Sequence, residues 1–63
     1  MDVPADLAQA LASGGVRGTF DALSFTHRKE YVRWIEDAKR EVTRQRRLVK
    51  AVEMLREGVN TPG

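Results

Sequence analysis

The chain has 63 residues, a net charge of +2, 41% apolar and 32% charged residues, and no cysteine. These figures exclude a disordered tail, a disulfide-stapled scaffold and a thiolate metal site, and leave one small soluble domain. A chain of this size buries only about 60% of its unfolded surface, so its core is thin and a second chain could add burial.

Pro4 suits the first turn of a short helix, and Asp6 adds favourable negative charge there. Leu7, Ala8 and Leu11 form its apolar edge, and Ser13-Gly14-Gly15 stops it, because paired glycines readily adopt positive φ. A second short helix is expected from Val16 to Leu23, with Val16, Phe20 and Leu23 on one side. Gly18 weakens it by roughly 1 kcal/mol relative to Ala. Both pieces fall well short of the ~12–15 residues that an isolated helix needs, so their apolar edges must pack on the longer helices nearer the C-terminus.

Residues 24–51 hold the only Trp, Tyr and His of the chain and most of its positive charge. Ser24 is the expected N-cap of a third helix, with Thr26 as the alternative, and the helix should reach Ala38 or Lys39. His27, Tyr31, Trp34 and Ala38 recur at i, i+4, i+7 and i+11, as do Arg44, Leu48, Ala51 and Leu55. At about 100° per residue each set is one stripe along a helix. Ile35 joins the buried side and Val32 lies at its margin. Nothing at Lys39-Arg40-Glu41 is a strong breaker, so one continuous helix over 25–57 is the alternative. The step from Ala38 to Arg44, however, puts the stripes roughly 120° out of register, and a break between two helices is the preferred reading. The fourth helix should run to Glu57 and stop at Gly58. No strand pattern occurs. The expectation is all-α: two short N-terminal helices packed on a long helical hairpin, a domain over 4–57 and a frayed tail over 58–63.

Charge is unevenly placed. Residues 1–23 carry Asp2, Asp6 and Asp21 against Arg17, whereas 39–50 carry Lys39, Arg40, Arg44, Arg46, Arg47 and Lys50 against Glu41. Six cations against one acid leave an excess of five, which attracts an anionic partner. Arg44 heads the apolar stripe of its helix, so it either pairs with a carboxylate from another helix or is held for an anion. Arg46 and Lys50 belong to the outer face. Tyr31 and Trp34 read as core residues with their polar tips at the surface, or Trp34 walls a groove beneath a cationic side chain. His27 is the one group that titrates near neutrality. It has no cysteine or spare hydroxyl beside it and no ligand-spaced carboxylate, so the reading is packing rather than catalysis or metal binding. In an antiparallel hairpin His27 and Arg44 stand at opposite ends, about 16 Å apart along the helix. No cofactor is expected. A helix-turn-helix reading would use Thr43, Arg44, Gln45 and Arg47, but the long apolar edge of the fourth helix marks it as a core element. The N-terminus lacks signal-peptide character and no run reaches membrane-spanning length, so the expected location is the cytoplasm, without membrane insertion.

The pattern Leu23-Ser24-x-x-His27-Arg28-x-x-Tyr31-x-x-Trp34-Ile35-x-x-Ala38-Lys39-x-x-x-Thr43-Arg44-x-x-Arg47-x-x-Lys50-Ala51 resembles the bacterial YdeI/OmpD-associated, or bacteriocin-protection, family. Asp6-Leu7-x-x-Ala10-Leu11 and Phe20-x-x-Leu23 resemble its lead-in, so the similarity spans roughly residues 4–57. Phe25 and Val42 depart from the prolines that the family often has near its two helix starts. The resemblance implies a helical C-terminal-type module linked to resistance to bacteriocins or cationic antimicrobial peptides. It also implies association with an outer-membrane porin in some members, and no established enzymatic activity. The combined expectation is a non-enzymatic interaction module with a stress-response role. Its contact residues would be Arg44, Arg47 and Lys50, with Trp34, Tyr31 and His27 beneath or beside them. A protein partner leads, a homodimer is a further expectation, and a small nucleic-acid-binding protein using residues 39–50 is the alternative.

Overall fold

The computed structural model of the chain describes residues 2–62. Four helices occur in chain order: α1 (Ala5–Ser13), α2 (Arg17–Asp21), α3 (Phe25–Glu36) and α4 (Glu41–Arg56). The described residues contain no strand, so the all-α expectation holds.

Pro4 stands just outside α1 rather than in its first turn, with its carbonyl accepting the Ala8 N–H at 2.9 Å. The glycine stop works through a Schellman motif. Gly15 takes φ 71°, the Val16 N–H reaches the Leu11 carbonyl at 2.9 Å, and the Gly15 N–H reaches Ala12 at 3.1 Å. Leu11 and Val16, the two residues such a motif brings together, are both buried. α2 is shorter than the 16–23 span expected for it, and it commits Phe20 to the core. An exposed Arg17–Asp21 pair at 3.1 Å spans its single turn.

Ser24, not Thr26, caps α3: its Oγ accepts the His27 N–H at 3.2 Å. α3 ends at Glu36, earlier than Ala38 or Lys39. The Ala38 N–H turns back to Ile35 at 3.2 Å, and Arg40 is extended at φ −106° and ψ 143° before α4 begins. The break expected from the change of phase is therefore real. α4 ends in a second Schellman motif, with Gly58 at φ 81° and the Val59 N–H on the Met54 carbonyl at 2.9 Å. The tail is not frayed where it leaves the helix. Val59 packs on the core, and its carbonyl accepts the Tyr31 hydroxyl at 2.8 Å.

The core joins Leu7 and Leu11 of α1, Val16 and Phe20 around α2, Tyr31, Val32 and Ile35 of α3, and Leu48, Ala51, Met54 and Leu55 of α4. Leu48, Ala51 and Leu55 keep to the stripe read for α4. The buried side of α3 is rotated from that reading. Val32, placed at the margin, is buried, whereas Trp34 and Ala38 are only half-buried. Tyr31 is fully buried and meets Phe20 edge-on, centroids 6.3 Å apart at 72°, a contact worth about 1 kcal/mol beyond its area. α4 packs on each of the other helices. Trp34 meets Arg47 while Tyr31, earlier in α3, meets Val59, later in the chain. The two long helices thus run in opposite directions.

These joints can be tested through stability. Tyr31→Phe leaves the Val59 carbonyl without its donor and should cost about 1 kcal/mol in urea unfolding. At Gly14 an added Cβ would stand 2.5 Å from Val52 Cγ1. Gly14→Ala should cost on the order of 1–3 kcal/mol, and distinctly less in a Val52→Ala background. A double-mutant cycle measures that coupling.

Candidate interaction face on the fourth helix

α4 begins with the basic stretch singled out in the sequence, and the structure divides those cations into two groups. Arg44 faces α1. Its Nε donates to Asp6 Oδ2 at 2.6 Å and its Nη2 to Asp6 Oδ1 at 3.0 Å, a bidentate pair only partly open to water. The Asp6 carboxylate also accepts the Leu7 N–H at 2.9 Å. The Arg44 hydrogen bond is the main cause of an Asp6 pKa below its ordinary 3.8, and Asp6 in return raises that of Arg44. Of the two readings of Arg44, the structure takes the interhelical ion pair, so its guanidinium is not held open for a ligand.

Arg47 faces α3. Its Nη1 donates to the Trp34 carbonyl at 2.7 Å, and its guanidinium carbon lies 5.3 Å from the centroid of the Trp34 ring. In an uninterrupted helix that carbonyl would accept the Ala38 N–H, which is instead directed to Ile35. Arg47 thus closes the C-terminal end of α3, where positive charge also meets the favourable end of the helix dipole. The cation over Trp34 is the arrangement considered for a groove wall, made here by the chain's own arginine.

Arg56 does the same for α1, donating Nη2–H to the Gly14 carbonyl at 2.9 Å. Sequence reasoning missed this role, and no periodic signal could have found it, because the two residues are 42 apart. It equally could not identify Asp6 as the partner of Arg44, 38 residues away.

Lys39, Arg40, Arg46 and Lys50 are exposed, and among the described residues none makes a side-chain hydrogen bond or ion pair. Arg40 and Lys50 continue the line of Arg47 at three- and four-residue spacing through Thr43, so a cationic edge runs beside the half-buried Trp34. Tyr31 is not part of that edge. Its polar tip, expected at the surface, is turned inward to Val59, and burial pushes its pKa above 10.0. His27 is half-buried in the first turn of α3, at the backbone amide that Ser24 caps. The structure therefore brings Trp34 and Arg47 together with Lys50 nearby on α4, while Arg44 is drawn to α1 and Tyr31 into the core.

Among the described residues no group of three or more His, Asp or Glu is placed to hold a metal ion, and no helix is long and apolar enough to cross a membrane. The sequence model of the family described as OmdA, "Bacteriocin-protection, YdeI or OmpD-Associated", matches residues 1–58. No curated protein and no solved structure matches the chain.

The Asp6–Arg44 pair makes a signed pH prediction. The folded-state pKa of Asp6 lies below 3.8, so its contribution to stability is present above that value and lost as pH falls through the folded pKa. Wild type should be more stable than Asp6→Asn at neutral pH, and the gap in melting temperature should close in acid below pH 3.8.

Proposed function

The chain belongs to the bacteriocin-protection, YdeI or OmpD-associated, family, and from that premise we propose that it acts in the cytoplasm as a non-enzymatic helical interaction module. Its role in resistance to bacteriocins or antimicrobial peptides would be carried by docking on an acidic protein surface. The observation that carries this reading is the edge formed by Trp34, Arg47 and the unpaired Arg40 and Lys50, with the exposed Lys39 next to it in the chain. It combines a half-buried aromatic ring with cations that have no partner within the described chain. Aromatic and arginine side chains of this kind are the usual anchors of protein interfaces.

The sign of the charge narrows the partner. An edge of unpaired cations repels a cationic peptide, so direct sequestration of such a peptide is disfavoured. It attracts an acidic protein. Arg44 no longer belongs to the contact set, because its charge is met by Asp6. Binding rather than catalysis is further supported by the use of the Ser24 hydroxyl, three residues before His27, as a helix cap.

The test is a triple reversal, Lys39→Glu, Arg40→Glu and Lys50→Glu, in cells challenged with a bacteriocin or a cationic antimicrobial peptide. Protection by the wild-type chain and its loss in the variant, with unchanged far-UV circular dichroism, are expected. Full protection by the folded variant would sink the reading. The nucleic-acid alternative is separated by titrating oligonucleotides at two salt concentrations, because phosphate-driven binding weakens steeply with salt. Little retention at physiological salt is expected.

A further inference from the structure

α4 has a third side that the cationic edge does not use and that meets the core only through Val52. Val42 and Val49, 56% and 61% exposed, are two of the three large apolar side chains left open to solvent among the described residues. They lie seven residues apart, which returns them to within roughly 20° of one azimuth. Val52 is half-buried on the same side, where it lines a groove between α1 and α4 with Ala10 and Leu48. Val42, Val49 and Val52 have the spacing of a short coiled-coil seam, with Gln45 filling the remaining position.

Two unpaired charges of opposite sign flank Val49 along this seam, Glu53 at the rim of the α1 groove and Arg46 outside it. Arg46 and Glu53 are both exposed, and among the described residues neither forms an ion pair. They lie three residues before Val49 and four after it. A second α4 laid antiparallel, with a two-fold axis beside Val49, brings Arg46 of one subunit to Glu53 of the partner subunit. The symmetry makes the reciprocal contact at the same time. The centre of the seam, Val49 and Val52, and its flanking charges are thus complementary to themselves, while Val42 lies at the edge of the contact.

We infer that this side of α4 is a homodimer interface, occupied by a second copy of the chain running antiparallel across Val42, Val49 and Val52. One helix face is smaller than the roughly 800 Å² per partner of a standard interface, so the association is reversible and depends on concentration. The interface lies on roughly the opposite side of α4 from Arg47. Dimerisation therefore leaves the cationic edge uncovered and presents it twice, which raises the avidity of the module for a multivalent acidic partner.

Sedimentation equilibrium over a concentration series tests the inference directly, with circular dichroism as the check on folding. Wild type should show a monomer–dimer equilibrium, and Val49→Lys should be monomeric. Arg46→Glu and Glu53→Arg should each weaken the dimer by about tenfold or more, equivalent to about 1.4 kcal/mol. The combined Arg46→Glu/Glu53→Arg exchange should restore it. A monomer at every concentration would overturn the inference, as would a dimer indifferent to Val49→Lys or a double exchange that fails to recover association. The Lys39/Arg40/Lys50 reversal should leave the dimer intact, so the interface and the proposed function fail or stand separately.

Discussion

Three arginines of α4 hold this domain together at the ends of its helices. Arg44 grips Asp6 at the start of α1, Arg56 closes the carbonyl end of α1 at Gly14, and Arg47 closes the carbonyl end of α3 at Trp34. A domain this small has little apolar area to spend on holding helices in place, and it has no disulfide to help. Helix ends are also where backbone groups lack partners. Guanidinium groups reaching from one long helix answer both needs. Their heads satisfy carbonyls and a carboxylate from other elements.

That use of arginine changes how the basic stretch reads. Counted along the chain, residues 39–50 form one block of positive charge. In the fold, the charge of Arg44 is neutralised by Asp6 and the donors of Arg47 are partly committed to a helix end. Lys39, Arg40, Arg46 and Lys50 remain unpaired among the described residues. The effective surface is a narrower cationic edge with a ring beside it. A narrow edge suits recognition of an acidic patch more than the broad phosphate tracking that nucleic acid requires.

α4 consequently has three sides with different chemistry. Leu48, Ala51, Met54 and Leu55 face the core, Arg47 and Lys50 run along the α3 side, and Val42 and Val49 look outward next to the α1 groove. A helix that contacts every other element of the domain can still display two separate surfaces, because the other helices are short or end early. α1 stops at its paired glycines and α3 stops four residues before α4 begins. The same brevity that thins the core leaves two sides of α4 open.

The local features were legible because they depend on neighbours in sequence. Ser24 as a cap, the glycine stops, the break after α3 and the Leu48–Ala51–Leu55 stripe all arise from backbone propensities and helical period. The family pattern was legible for the same reason, since it is written in spacing. What only the tertiary structure decided is where the long polar side chains go. Periodicity placed Arg44 at the head of an apolar stripe with Arg47 three residues on, but their partners lie 38 and 13 residues away, and no local rule selects Asp6 or a carbonyl left free by the early end of α3. It also decided that Tyr31 turns its hydroxyl inward, because the glycine turn at Gly58 carries the Val59 carbonyl back over the core. Short-range physics determined the helices. The assignment of charges to structure or to surface waited on which helix ends met in space.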